Sequence, residues 1–313
     1  MTRIVFMGTP AFAVPSLQAL VSHYSVVGVV TQPDGTAKRG RALVPTPVKE
    51  AALAAGVPVI QPHRLREPEA MAQLAAWAPD LIVVAAFGQL LRPAVLDLPA
   101  HGCVNVHASL LPRHRGAAPI AAAILAGDAV AGVTIMRMDV GLDTGPMLLK
   151  SPPVAIEPDD TTETLTAKLA QVGAAALLTA LPDYLAGRLT PQSQDEAKST
   201  YAPQLKKEDG RLDFSRPAAE LERRVRAMTP WPGAYALWPE PGAEDRLLKV
   251  GRAAVAEGSA PPPGAVAARG GEIVVGCGQG ALRLIEVQPP GKRPMPAADF
   301  ARGARDFVGA RLT

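Results

Sequence analysis

The chain has 313 residues, 48% of them hydrophobic, 19% charged and 4% aromatic, with a formal net charge of +3. That length suits two domains, and the apolar content is ample for buried cores, which excludes disordered and fibrous classes. The two cysteines, Cys103 and Cys277, lie in different halves without a Cys-x-x-Cys or His-rich partner, so neither a disulfide framework nor a zinc site is expected, and the setting reads as reducing.

At the start of the chain, Gly8, Thr9, Pro10 and Pro15 interrupt the apolar stretch that a signal peptide would need. The longest apolar run, residues 81–91, falls far short of the ~20 residues of a membrane span. The expectation is a soluble, cytoplasmic protein with no membrane partner, acting as a monomer.

Continuous Val/Ile/Leu runs at residues 4–7, 26–30, 57–60, 81–86, 103–107 and 133–138 alternate with Ala-rich helical stretches. This pattern predicts a Rossmann-like α/β domain around a mostly parallel sheet covered on both faces, with ligands at the carboxyl ends of its strands. A helix over 161–185, with Gly187 after its end, closes this first domain, taken as residues 1–189. Residues 190–209, polar and charged with Pro191 and Pro203, read as a linker. Residues 210–313 follow, with a short helix at 221–228 and short strands at 231–235, 247–250, 264–268, 272–275 and 281–287. Gly and Pro between the strands predict a smaller OB-like β-barrel. Residues 201–313 hold 17 Lys/Arg against 13 Asp/Glu, which permits a polyanionic partner without demanding one.

The first strand-to-helix turn, residues 6–10, lacks the Gly-x-Gly-x-x-Gly spacing of a dinucleotide site. Asn105, the only asparagine of the chain, stands two residues before His107, one of five histidines. Side chains alternate along a strand, so both point to one face, where an amide donor and an imidazole can address one developing oxyanion. The segment 138–146, Met-Asp-Val-Gly-Leu-Asp-Thr-Gly-Pro, is an acidic, glycine-bracketed loop after a strand. Asp143 is placed to orient and charge the imidazole, and Asp139 to cap the turn. Each alone is as consistent with a turn or cap; the combination points to catalysis.

Asn105-x-His107, SLLPRHRGAAPI over 109–120, and Asp139-Val-Gly-Leu-Asp143-Thr-Gly together resemble the signature of the folate-dependent formyltransferases. The Phe6-x-Gly-Thr-Pro, Thr31-Gln-Pro-Asp34, Pro45-Thr-Pro-Val-Lys49, Pro230-Trp-Pro-Gly233 and Pro289-Pro-Gly-Lys292 strings extend the likeness over essentially the full chain. The resemblance implies formyl transfer from 10-formyltetrahydrofolate, without a metal, to the amino group of methionine on initiator methionyl-tRNA. It further implies Asn105, His107 and Asp143 as catalytic residues. Ser109, Leu110, Leu111, Pro112, Gln89, Leu90 and Leu91 would border the folate. Lys38, Arg39 and Arg41, in a sixteen-residue loop, would meet the tRNA together with Lys206 and Lys207. The same triad would serve a formyltransferase acting on a small amine, such as a glycinamide ribonucleotide or an amino-sugar nucleotide, whereas a non-catalytic RNA-binding protein of this fold would not need it.

Overall fold

A computed structural model describes residues 2–36, 43–239, 245–304 and 306–313. In chain order the elements are β1 (Arg3–Gly8), α1 (Val14–His23), β2 (Ser25–Val30), β3 (Gly35–Thr36), β4 (Leu43–Val44), α2 (Pro47–Ala54), β5 (Val59–Ile60), α3 (Pro68–Ala76), β6 (Leu81–Ala85), α4 (Pro93–Leu96) and β7 (Cys103–His107). They continue with β8 (Arg115–Gly116), α5 (Pro119–Ala126), β9 (Val130–Ala131), β10 (Thr134–Arg137), β11 (Met147–Lys150), β12 (Val154–Ala155), α6 (Thr162–Leu185) and β13 (Tyr201–Ala202). The remainder is α7 (Ala218–Ala227), β14 (Ala234–Trp238), β15 (Arg246–Ala256), β16 (Val266–Arg269), β17 (Glu272–Gly276), β18 (Ala281–Gln288), β19 (Met295–Pro296) and α8 (Ala297–Gly303).

The chain divides into two compact units that interleave in sequence: Met1–Pro119, Val130–Ala155 and Thr166–Pro203 form the first, and Ile120–Ala129, Ile156–Leu165 and Gln204–Thr313 the second. The expected division at 189 and 210 is contiguous, whereas this one is not. Within the second unit, Arg223 Nε donates to the Leu125 carbonyl at 3.2 Å and Thr162 Oγ1 to that of Ala227 at 2.7 Å. These bonds tie the two inserted segments to α7.

The first unit is built on a seven-stranded sheet in the order β11-β10-β7-β6-β1-β2-β5. Strands β7, β6, β1, β2 and β5 are mutually parallel. Every residue of β6 and β7 is buried, as expected for strands covered on both faces. The order reverses between β1 and β6, which places the crevice for ligands at their carboxyl ends. The run at 133–138 forms β10, but it lies antiparallel to β7, with Thr134 opposite His107 and Met136 opposite Asn105, and β11 pairs antiparallel to β10 at the edge of the sheet. Among the described residues, α6 is the one helix long and apolar enough to cross a membrane, and half of that apolar stretch is buried within the fold.

The second unit is an antiparallel sheet in the order β14-β15-β18-β17-β16. Residues 309–313 bridge its two edges. Leu237 exchanges backbone hydrogen bonds with Thr313, while Val266 and Gly264 pair with Gly309, Ala310 and Leu312. These bonds close the sheet into a barrel. Trp238, Phe300 and Phe307 meet edge to face, with ring centroids 4.9 to 5.8 Å apart. The strand expected at 231–235 begins at Ala234 instead, because Pro232 lacks an N–H and Gly233 has φ +84°.

Candidate active site

Asn105 and His107 occupy the third and fifth positions of β7 and are only 9% and 4% exposed. Ladders to β6 on one side and β10 on the other fix the backbone that carries them. His107 Nε2 lies 2.9 Å from the His114 carbonyl oxygen. A carbonyl only accepts, so Nε2 carries its hydrogen and donates, and Nδ1 is left facing Asp143. Asp143 Oδ1 accepts from Asn105 Nδ2 at 3.2 Å and stands 3.6 Å from His107 Nδ1. Its other oxygen, Oδ2, accepts the Gly116 N–H at 2.9 Å. Two nitrogens on one strand face therefore converge on a single carboxylate oxygen. The expected trio is brought together, although His107 turns its Nε2 to the protein backbone.

Because β10 runs antiparallel to β7, the loop that follows it leaves from the wrong end of the sheet and must fold back to reach Asn105. Several local devices make that return possible. Asp139 Oδ1 accepts from the Gly141 N–H at 3.0 Å and the Thr144 hydroxyl at 2.7 Å, closing the first half of the loop. Asp143 itself adopts φ +54°, a conformation uncommon for side-chain-bearing residues and concentrated at functional sites. Gly145 passes so close to β10 that a Cβ would lie 1.9 Å from the Arg137 carbonyl oxygen. Val140 and Leu142 are left 79% and 41% exposed beside the carboxylate.

Residues 190–203 are a strap on the first unit, not the free linker that their polar composition suggests. Gln192 exchanges backbone hydrogen bonds with Met147, and β13 pairs with β8. Gln194 Nε2 donates to the carbonyls of Asp143 and Gly145, both at 2.7 Å. Arg115 holds Gln194 Oε1 at 3.0 Å and grips Glu196 through two nitrogens at 2.8 Å. Thr200 Oγ1 accepts the His114 N–H at 2.8 Å. The segment is polar because its side chains satisfy backbone groups of the site. His114, Arg115, Gly116, Gln194, Glu196 and Thr200 are thus positioning residues that sequence reasoning did not single out.

The segments expected to border a folate divide by role. Leu111 is fully buried with Met136 and Met147, and Leu91 is 8% exposed in the main core. The Ser109 hydroxyl donates to the Arg113 carbonyl at 2.6 Å, and its carbonyl accepts Thr134 Oγ1 at 2.7 Å. Gln89 accepts the Leu65 N–H at 2.9 Å and donates to the His63 carbonyl at 3.3 Å, so its amide braces a neighbouring loop. The side chains of Leu91, Leu111, Ser109 and Gln89 are therefore engaged by the protein itself. Leu110 and Pro112 are partly exposed, and Leu90 is 79% exposed. Thr9 Oγ1 and Gln32 Nε2 both donate to the Phe87 carbonyl at 3.2 Å, two further residues missed from sequence. Together they hold an exposed backbone edge at Ala86 and Gly88 in the crevice beside β1 and β6.

Lys38, Arg39 and Arg41 lie outside the described residues. The stems of their loop pair as β3 and β4, and Asp34 at its base binds Lys49 at 2.5 Å and Gln61 at 2.6 Å. These contacts hold the Asp34 carboxyl below its usual range, Lys49 contributing most and Gln61 next. Lys206 and Lys207 are exposed in the second unit. Arg223 and Arg224 bond to backbone carbonyls there, and Arg226 pairs with Glu222 at 2.6 Å. Among the described residues, no group of three or more His, Cys, Asp or Glu is arranged to hold a metal ion.

Residues 2–181 match the family described as formyl transferase, and residues 204–305 the family described as formyl transferase, C-terminal domain. The chain is 52% identical over 310 residues to the methionyl-tRNA formyltransferase of Myxococcus xanthus, covering 99% of this chain and 97% of that one. It is 50% identical over 313 residues to the protein of that name from Methylococcus capsulatus, covering 99% of each. Among solved structures it is similar in fold to WlaRD, a sugar 3N-formyl transferase, with a TM-score of 0.66 at 17% identity over 94% of this chain and 99% of that one. It is also similar in fold to HypX from Aquifex aeolicus, with a TM-score of 0.62 at 18% identity; 98% of this chain is covered, and it spans about half, 48%, of HypX. With both parts of the chain matched in order and the Asn105, His107 and Asp143 side chains gathered in the first, this protein belongs to the formyltransferase family.

Proposed function

We propose that this chain transfers the formyl group of 10-formyltetrahydrofolate to the α-amino group of methionine on initiator methionyl-tRNA, acting in the cytoplasm as a monomer at the start of translation. The observation that carries this reading is the convergence of Asn105 Nδ2 and His107 Nδ1 on one oxygen of Asp143. The chain is also about half identical, over nearly its full length, to proteins named for that reaction.

The folate, a co-substrate, supplies a formyl carbon already activated on nitrogen. The crevice at β1 and β6 fits its pterin: the exposed backbone edge at 86–90, braced by Thr9, Gln32 and Gln89, suits a ring whose rim is a row of donors and acceptors. Leu90, Leu110 and Pro112 would supply apolar contacts there. Asn105 uses one amide hydrogen on Asp143 and keeps a second for the carbonyl oxygen on which charge builds. His107 is oriented by the His114 carbonyl, and in its protonated form Nδ1 is a second donor at that point. The 3.6 Å separation of Nδ1 from Asp143 is longer than a hydrogen bond, so the carboxylate can tighten onto a protonated imidazole or turn toward the attacking amine. Asp143 takes the proton of the attacking amine, directly or through water, while Gly116 holds its Oδ2; the tetrahedral adduct then collapses with cleavage of the bond from the formyl carbon to N10, which takes that proton and leaves as the secondary amine of tetrahydrofolate. Val140 and Leu142 offer apolar surface to the methionine side chain.

Residues 1–189 would carry the chemistry and some of the contacts to RNA, and residues 210–313 further contacts to RNA, with 190–209 joining them. Lys38, Arg39, Arg41, Lys206 and Lys207 would meet phosphates, each neutralised charge steepening the salt dependence of binding by roughly 0.7 to 0.9 in log–log slope. A single-turnover assay tests the whole reading, offering methionyl initiator tRNA, free methionine and glycinamide ribonucleotide separately with 10-formyltetrahydrofolate. Transfer to the charged tRNA alone is expected. Equal transfer to free methionine sinks the tRNA reading.

A further inference from the structure

Aromatic residues are scarce in this chain, yet Tyr201 on β13 is 64% exposed immediately beside the catalytic loop. Its neighbour Ala202 is fully buried, as the alternation of a paired strand requires, so the pairing of β13 with β8 turns the Tyr201 ring outward. The ring then lies over Gly116: a Cβ at that glycine would come within 2.9 Å of the Tyr201 ring and 2.5 Å of the Ala202 carbonyl oxygen. Only a residue without a side chain leaves room for it. The N–H of the same Gly116 holds Asp143 Oδ2 at 2.9 Å. One residue therefore orients the catalytic carboxylate on one side and seats an exposed aromatic face on the other.

We propose that Tyr201 is a base-binding subsite, on which the purine ring at the 3′ end of the aminoacylated acceptor stacks while its methionyl amine reaches Asn105 and Asp143. This rests on the functional reading above. The covalent distance agrees with it. About six bonds separate the α-amine of an aminoacyl ester from the ribose carbon that bears the base, a span of roughly 5 to 8 Å at ordinary bond lengths. That span leads from the carboxylate, past Gly116, to the ring. Stacking of one base on one aromatic face is tolerant of sequence and needs no second aromatic residue, so a chain poor in aromatics can still use it.

The test compares two small acceptors with 10-formyltetrahydrofolate as donor: 3′-O-methionyl adenosine, which carries the base, and methionine ethyl ester, which does not. The wild-type protein should prefer the adenosine ester by about tenfold or more in kcat/KM, as base–aromatic stacking supplies. Tyr201→Leu should abolish that preference and Tyr201→Phe should restore it, with the KM for the donor unmoved in both. An absent preference in the wild type overturns the proposal without recourse to any variant. So does a Tyr201→Leu variant that keeps the preference, or one that raises the donor KM instead. Formylation of methionyl initiator tRNA, measured in parallel, separates the two readings. If it occurs without an adenosine preference, only the subsite fails; if it does not occur, the functional reading fails first.

Discussion

The two halves of the catalytic constellation are held in place by different means. Asn105 and His107 ride on β7, whose backbone is bonded to a strand on each side and whose residues are all buried. Asp143 rides on a loop that leaves β10 in the unfavourable direction, doubles back, and stays there through hydrogen bonds of the Asp139 and Gln194 side chains and of the Gly116 N–H to the Asp143 carboxylate. A strand position is specified by many weak, redundant backbone bonds, whereas a loop position is specified by a few contacts that can be removed singly. Substitutions of the strand-borne groups should therefore change chemistry with little effect on order. Substitutions of the residues that hold the loop should change both together.

The largest effect is expected where the loop delivers a carboxylate to Asn105 and His107. Asp143→Ala removes the proposed proton acceptor and the carboxylate facing His107, and turnover should fall by roughly 10² to 10⁴. Single-turnover rates at saturating donor and acceptor measure this, and a loss below tenfold would contradict the assigned role. Asn105→Ala comes next, with a loss of roughly 10² to 10³ for one missing oxyanion donor. Its melting temperature should remain close to the wild type, because β7 keeps both ladders. A large drop in stability together with activity would mean that Asn105 serves the fold and not the chemistry.

This contrast also separates what was legible in the sequence from what was not. β7 could be read because it alternates and because its single asparagine stands at the right distance from a histidine. The parallel core could be read from its apolar runs. The direction of β10 could not, since an apolar run has no intrinsic polarity. From the run at 133–138 alone, Asp143 would be placed at the carboxyl end of a parallel strand, and only Gly141 and Gly145 hint at the fold-back. The strap at 190–203 was hidden for another reason. Arg115 and Glu196 lie 81 residues apart, and Gln194 acts 51 residues from the carbonyl of Asp143. A polar stretch serving distant backbone groups has the same composition as one solvated by water. Leu111 and Gln89 show a further limit, because proximity to a site in sequence does not say which way a side chain turns.

Gln194 offers the sharpest probe of the loop-borne half. Gln194→Ala removes three hydrogen bonds, two to the carbonyls of Asp143 and Gly145 and one from Arg115 Nε, each contributing about 0.5 to 1.5 kcal/mol by ordinary standards. Stability should fall by about 1.5 to 4.5 kcal/mol in denaturant titration. Turnover should fall roughly tenfold, because an ångström of misplacement is enough to impair a catalytic group. Loss of stability with unchanged turnover would show that Asp143 is held well enough without the clamp.

The smallest effect belongs to the outer end of the same clamp and is seen through pH. Glu196 is 72% exposed in its side chain, but its hydrogen bonds from the nearly buried Arg115 guanidinium hold its carboxyl below the usual carboxylate range. A carboxyl lowered on folding stabilises the fold fully above its unfolded value, and that contribution disappears as pH falls through the lower, folded value. At neutral pH, Glu196→Gln should therefore melt slightly below the wild type, and the gap should close in acid as the wild-type carboxyl takes up its proton. Solvent screening keeps the difference small. Arg115 retains its bond to Gln194 in the variant, so turnover at neutral pH should change less than in Gln194→Ala. A gap in melting temperature that widens in acid would reverse the sign of the linkage and remove Glu196 from the chain of contacts that ends on Asp143.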